Sequence, residues 1–401
     1  MIIKLERVLS AHVSSRNLSD RLTDSIPDSY IVTLKANVNV TKHVDLIQVL
    51  HTALVKSGQT VHAFGGITHQ YDFPGFQGYA GHFHVSLIEQ LKSNNEIDFI
   101  EPDLVVTLSA AAPSVVQQRN AGYGLAQIST RGKQRDSSTT YTYHSSAGRG
   151  TYAYVVDTGI ETDHQEFGGR AQHGYNAIPA TPPDDDVNHG TSVAAVIGGR
   201  TYGVAKRCNL ISVRVFDRVG RGRTSYVLDG YQWAVNDIRT KARKGRAVIT
   251  LAIASEQHKG FDRAVDSAYR MGISTVAGAG NFNLPADLWS PGGAMGAITV
   301  GATGRDYNRW RSSNFGEWVD IWAPGVGIRT AANASRTATR TLSGTSMSTA
   351  YVAGLVLYFK GMRALGDARA TKDYLLKMAT PGVVGNPRGG KNLFAYNGGG
   401  K

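Results

Sequence analysis

From residue 152 onward the chain alternates short apolar runs with longer segments of helical periodicity, and this alternation restricts the fold more than any other feature. Tyr152–Val156, Leu210–Phe216, Ala247–Ile253, Ile273–Ala277 and Ala297–Gly301 read as strands. Gly190–Gly199, Thr224–Ala242, Phe261–Arg270, Thr345–Met362 and Ala370–Met378 read as helices. Successive βα units lay their strands side by side in parallel, with helices covering both faces. An α/β domain built on a parallel sheet is therefore expected over residues 111–401.

Residues 29–110 follow another pattern. Ser29–Leu34 is strand-like, and Val44, Ile47, Leu50 and Leu54 recur at helical spacing. Ala80–Val85 and Ile97–Val106 read as further strands, with a short helix near Leu87–Leu91 between them. This order suits a small α+β (ferredoxin-like) domain, an antiparallel sheet with two helices on one face. Ala110–Asn120 is small, polar and aperiodic around Pro113, so it reads as a linker. Residues 1–28 read as a disordered N-terminal segment.

Composition narrows the function classes. Only 18% of the 401 residues are charged, below the ~25% of an average globular chain, which argues against disorder. No apolar run approaches the ~18 residues of a membrane span, so no membrane partner is expected. The single cysteine, Cys208, excludes internal disulfides and a cysteine zinc cage; it reads as a small buried residue. Residues 1–110 carry 8 Lys+Arg against 11 Asp+Glu, and residues 111–401 carry 35 against 20. Opposite net charge permits attraction between the two segments. The arginines are scattered, without interleaved aromatics, so no nucleic-acid partner is expected. Lys4, Glu6 and Arg7 fall where a secretory signal needs an apolar core. Seven of the 12 histidines lie in residues 1–110, which allows a pH-sensitive first domain.

Three segments could carry chemistry. Val155-Val156-Asp157-Thr158-Gly159 puts a carboxylate at the carboxyl end of a buried strand, where α/β proteins place their sites. Asn188-His189-Gly190-Thr191-Ser192 opens a helix, and Ser343-Gly344-Thr345-Ser346-Met347 opens another. A helix N-terminus offers free N–H groups to a developing oxyanion. Singly, each reads equally well as a turn former or a cap. Jointly they supply a serine nucleophile, the base that takes its proton, and a carboxylate that orients the base.

The order Asp157, His189, Ser346, with these flanks, resembles the subtilisin-like serine proteases, and most closely their proteinase K-type subfamily. The resemblance implies a parallel-sheet catalytic domain over residues 111–401, preceded by an inhibitory propeptide over residues 29–110. It implies a serine endopeptidase made as a zymogen and matured by a self-cut between Ala110 and Ala111. Its partners would be polypeptide substrates and its own propeptide, and a monomeric, extracellular enzyme is implied. Ala277-Gly278-Ala279-Gly280-Asn281 matches the family's oxyanion segment, making Asn281 the side-chain donor. Ala279 and Gly280 would line the substrate cleft, with Gly220, Arg221 and Gly222 opposite.

Some positions depart from the family. Ser192 stands where a histidine is usual, and Thr349-Ala350-Tyr351 follows the nucleophile in place of Thr-Pro-His. Ala252-Ile253-Ala254-Ser255 replaces Ser-Leu-Gly-Gly in the strand that pairs with substrate. Bulk at Ala254 and Ser255 implies a narrowed pocket or, alternatively, a subtilase-like protein that cleaves poorly. Arg221 or Arg223 would favour acidic residues upstream of the cut, unless both are simply solvated. The chemistry needs no cofactor. A structural Ca²⁺ is implied at Asp320 with the carbonyls of Met295 and Ala297, while Asp184-Asp185-Asp186 reads as a solvated loop. Asn17, Asn39 and Asn333 sit in sequons compatible with secretion.

Overall fold

The computed structural model describes residues 25–56, 65–104, 115–133 and 139–399. Ala110 and Ala111, Asn17 and most of the N-terminal segment lie outside these residues. The chain divides into two compact units between residues 110 and 111.

The first unit runs β1 (Ser25–Leu34), α1 (Val40–Lys56), β2 (Gly66–Phe73), β3 (Phe76–His82), α2 (Val85–Leu91) and β4 (Ile97–Leu104). Its sheet has the order β2-β3-β1-β4, with every neighbouring pair antiparallel. Val44 and Ile47 of α1 and Leu87, Ile88 and Leu91 of α2 pack with Val32, Tyr79 and Phe83 in one apolar cluster, so both helices share a face. β2 is absent from the sequence reading because its Thr-His-Gln-Tyr-Asp run is mostly exposed and carries no alternation. His43 is buried, with Nδ1 2.6 Å from Glu96 Oε2.

The second unit begins with β5 (Val115–Gln118), α3 (Tyr123–Ile128), β6 (Tyr141–His144), β7 (Tyr152–Asp157) and β8 (Ala171–Asn176). There follow α4 (His189–Gly198), β9 (Asn209–Arg214), α5 (Thr224–Thr240), β10 (Ala247–Leu251), β11 (Ser255–Glu256) and α6 (Lys259–Arg270). Next come β12 (Ser274–Gly278), β13 (Trp289–Ser290), β14 (Ala297–Thr303), β15 (Ile321–Pro324), β16 (Ile328–Ala331) and β17 (Thr339–Leu342). The chain closes with α7 (Thr345–Lys360), α8 (Ala368–Met378), β18 (Thr380–Pro381) and β19 (Leu393–Phe394). The linker reading fails at β5, whose residues pair antiparallel with β6 from Val115–His144 to Gln118–Tyr141. Its side chains are too exposed to leave an apolar signal.

The main sheet has the order β18-β19-β15-β14-β12-β10-β7-β9-β8, parallel throughout except for the terminal β18–β19 pair. Its strands alternate between two cores. Ala153 and Val155 of β7 join Val196 of α4, Leu355 of α7 and Leu375 of α8. Tyr154 and Val156 join Ile238 of α5 and Val265 of α6 on the other face. Met347 to Lys360 of α7 are all buried, which makes this helix part of the core rather than a cover for it.

α4 and α7 touch where α7 has no side chain. A Cβ at Gly354 would lie 2.7 Å from Val204 Cβ and 3.1 Å from Ile197 O. Leucine there must push apart the two helices whose first turns carry His189 and Ser346. Gly354→Leu should therefore cost about 1–3 kcal/mol of stability and lower activity as well; thermal unfolding and peptide hydrolysis of the purified variant measure both.

Candidate active site

The neighbours of β7 set the site's position. The chain passes from β7 to β8 and β9 on one side, then returns to β10 on the other. The crevice beyond the carboxyl ends of β7 and β10 is thus a topological switch point, where open α/β sheets bind ligands. Asp157 ends β7, and Ala252 follows β10.

Asp157 is 1% exposed, and a carboxylate so buried requires partners. Its Oδ1 accepts the Thr158 N–H at 2.7 Å, and His189 Nδ1 lies 2.8 Å from Oδ1 and 3.0 Å from Oδ2. With Nδ1 donating to the carboxylate, Nε2 is left as the free acceptor, the tautomer a general base needs. Burial acts to lower the His189 pKa, but the charge of Asp157, the hydrogen bond to it and the charge of Asp185 outweigh burial and hold it above the ordinary value.

His189 is aimed by a scaffold that the sequence reading missed. Asp185 is buried, not solvated, and its carboxylate accepts the N–H groups of Val187, Asn188 and Thr191 at 3.1, 2.7 and 2.8 Å. It also accepts the Thr158 hydroxyl at 2.7 Å, and Thr158 Oγ1 in turn accepts the Gly190 N–H at 2.9 Å. One carboxylate thereby ties the Asp157 strand end to the start of α4. An acidic residue shortly before a helix start is the signal that could have found it, since Asp favours such caps. The rest of the run is paired too, Asp186 with buried Arg214 at 2.9 Å and Asp184 with His173 at 3.3 Å. A Cβ at Gly190 would fall 2.1 Å from Gly159 O, so glycine is required beside the histidine. Ser192 Oγ lies 2.8 Å from each of the carbonyl oxygens of Asn188 and Ala331, so its one proton is shared between the start of α4 and β16.

Ser346 is the second residue of α7, half-buried, and its hydroxyl donates 2.9 Å to Ala252 O rather than to His189. Serine–histidine contacts in substrate-free enzymes are often long and tighten only in the complex. Asn281 is oriented unambiguously. Its Oδ1 accepts both the Thr345 N–H at 2.8 Å and the Thr345 hydroxyl at 3.0 Å, leaving Nδ2 free to donate. A Cβ at Gly344 would lie 3.5 Å from Asn281 Nδ2 and 3.7 Å from Ser346 N. Both nitrogens thus border the space that glycine keeps open, and two donors placed so can hold an oxyanion.

Ala252–Ala254 lies outside every ladder, and the chain pairs again only at β11, where Ser255 opposes Ser290. Ala252, Ile253 and Ala254 line a cleft of about 290 Å³ with Asp157, Thr158, Val187, His189, Phe216 and Gly220. The methyl of Ala254 lies 3.5 Å from where a Cβ at Gly280 would stand. Ala279 is buried beside this wall. Gly222 packs on Phe216, and Arg221 is exposed with its N–H held by Asp217 at 2.8 Å. The Arg223 guanidinium sits 5.6 Å from the centre of the Tyr226 ring. Of the expected residues, Asp157, His189, Gly220, Ala252, Ile253 and Ala254 thus line one cleft, and the Ser346 hydroxyl is tied to its wall at Ala252.

The calcium expectation does not survive. Asp320 Oδ2 lies 2.7 Å from Lys372 Nζ and Oδ1 lies 2.9 Å from Lys391 Nζ. The Ala297 carbonyl accepts a hydrogen bond from the same Lys372 at 2.7 Å. With carboxylate and carbonyl both taken by ammonium groups, Met295, Ala297 and Asp320 do not fit a divalent cation. Cys208 is buried, as expected.

Comparison with known proteins shows the family. Residues 148–396 match the subtilase family and residues 29–109 the peptidase inhibitor I9 family. The chain is 41% identical over 399 residues to alkaline protease 1 of Emericella nidulans, covering 98% of this chain and 96% of the relative. Subtilisin-like proteinase Mp1 of Magnaporthiopsis poae is 39% identical over 386 residues, 94% of this chain and 93% of the relative. The crystal structure of a cold-adapted subtilisin-like serine proteinase superimposes with a TM-score of 0.64 at 34% identity, over 69% of this chain and 98% of that one. The chain belongs to the subtilase family. It is a serine endopeptidase with an I9 inhibitor domain ahead of its subtilisin-like fold, a fold compatible with chemistry that uses no cofactor.

Protonated His189 cannot accept a proton. Activity should therefore be full above the raised His189 pKa and be lost as pH falls through it, with a midpoint above the ~6.5 of free histidine. Asp157→Asn removes the charge that raises this pKa. It should shift the acid limb of the kcat/KM profile to lower pH and reduce kcat by about 10⁴.

Proposed function

We propose that Ser346 is the nucleophile, His189 the general base and acid, Asp157 the orienting carboxylate, and Asn281 with the Ser346 N–H the oxyanion donors. His189 Nε2 takes the hydroxyl proton as Ser346 Oγ adds to the scissile carbonyl carbon, and the carbonyl oxygen takes the negative charge. Collapse expels the amine, which receives the proton from His189 and leaves an acyl-enzyme. Water then attacks the ester by the same route in reverse, releasing the acid and restoring Ser346. The observation that carries this reading is that Asn281 Nδ2 and Ser346 N both border the space before Gly344. Such donors contribute about 3–4 kcal/mol to the transition state.

For Ser346 to act, its hydroxyl must leave Ala252 O, and an extended substrate pairing with the Ala252–Ala254 backbone would claim that carbonyl instead. We propose that the enzyme matures by its own cut between Ala110 and Ala111 and acts outside the cell as a monomer. Among the described residues no helix is long and apolar enough to cross a membrane. A fluorophosphonate probe should label the wild-type protein and not Ser346→Ala. N-terminal sequencing should give a start at Ala111 for the wild type only, and an uncleaved wild-type chain would refute self-maturation.

The Ala254 methyl favours small side chains on the acyl side of the cut rather than a loss of cleavage. Ala110 at the proposed self-cut is of that size. Arg221, exposed beside Gly220, is the residue that would favour acidic groups further upstream. Ala254→Gly should raise kcat/KM for a leucine or phenylalanine substrate relative to alanine by about tenfold or more. An unchanged ratio would locate selectivity elsewhere.

A further inference from the structure

We infer that the Lys372 ammonium is a built-in structural cation, held by the Ala297 carbonyl and the Asp320 carboxylate, and that it makes this joint independent of calcium. Lys372 lies in α8, Ala297 opens β14, and Asp320 immediately precedes β15. Lys372 Nζ is 2.7 Å from Ala297 O and 2.7 Å from Asp320 Oδ2, so a single group bridges a main-chain and a side-chain oxygen from two chain segments. Lys391, near the C-terminal end, covers the other carboxylate oxygen at 2.9 Å. The Thr299 N–H adds a further donor to Oδ2 at 3.1 Å.

Charge and ligand supply both oppose a divalent ion here. Two ammonium groups around one carboxylate leave the cluster with a net positive charge, which repels a further cation. Calcium takes 6–8 oxygens at about 2.3–2.6 Å, and the two oxygens it would need first already accept from Lys372. Among the described residues, no group of three His, Cys, Asp or Glu side chains comes together that could make up the shortfall. The joint is also sheltered. The Lys372 and Asp320 side chains are 16% and 8% exposed, so salt screens their pairing less than that of a surface pair.

The difference between a tethered and a free cation is thermodynamic. A bound ion stabilises in proportion to the logarithm of its free concentration, so chelation removes its contribution. A lysine in the same chain cannot be chelated away. The enzyme would keep α8 fastened to the sheet in surroundings poor in calcium.

The test compares thermal unfolding in a chelator and in millimolar calcium, using mature enzyme silenced with a fluorophosphonate so that self-digestion does not read as unfolding. The wild type should give the same Tm in both. Lys372→Met, which keeps the volume without the charge, should lose about 5 °C in both. Lys372→Ala, which opens the space, should lose as much in chelator and regain part of it with calcium, and Lys372→Ala combined with Asp320→Asn should regain none. If the alanine variants do not fold, calorimetric calcium titration of wild type and Asp320→Asn decides alone. Calcium binding or a calcium-dependent Tm in the wild type that disappears in Asp320→Asn overturns the inference. A Lys372→Met Tm equal to that of the wild type overturns it as well.

Discussion

The burial of the Asp157 carboxylate is the constraint on which the rest of the active-site region depends. An ionised carboxylate removed from water at the end of a core strand must be met by donors. The Thr158 N–H and His189 Nδ1 are those donors, and they fix the imidazole's tautomer and orientation. His189 is itself kept in place because Asp185 gathers three N–H groups and the Thr158 hydroxyl around the start of α4. The burial that makes Asp157 costly is also what makes its influence on His189 strong, since low polarity increases the interaction between charge and ring.

Packing carries the same logic to the nucleophile. α7 is buried along nearly its whole length, so its register is set by the core and its first turn cannot drift. Thr345 then binds the Asn281 carbonyl oxygen twice, which leaves the amide nitrogen as that side chain's donor. Catalytic geometry is thus a consequence of sheet and helix packing, with glycines at 190 and 344 keeping two close approaches open. The Ala252–Ala254 segment is the counterpart of this rigidity: it is backbone outside every ladder, whose Ala252 carbonyl accepts the Ser346 hydroxyl.

Five strands and five helices of the second unit were readable because its sheet is buried on both faces, which demands nearly continuous apolar strands. By contrast β15, buried at every residue, is only four residues long and was missed. Expected and observed ends differ by a few residues at most, as for α4, expected from Gly190 and observed from His189. Edge and surface strands were not readable. β2, β5 and β8 expose much of their length, so their pairing comes from neighbouring backbone and leaves little trace in side-chain pattern. The residues Asp157, His189 and Ser346 stood out by their flanks, whereas Asp185 was hidden in a run of three like residues. Three identical side chains in sequence met three different fates: one paired with His173, one at the hub of the His189 loop, one against Arg214.

The sequence by itself determined the class of fold, the family and the separation into an inhibitor-like and a catalytic segment, and it singled out the candidate reacting groups. Those properties reside in periodicity and in short motifs whose local backbone sets their geometry. The tertiary structure decided which charges meet. Asp320 looked like a calcium ligand from its own flanks, but Lys372 and Lys391 follow it by more than fifty residues in one case and about seventy in the other. A motif records the side chain that offers a charge; only the folded chain shows which opposite charge reaches it first.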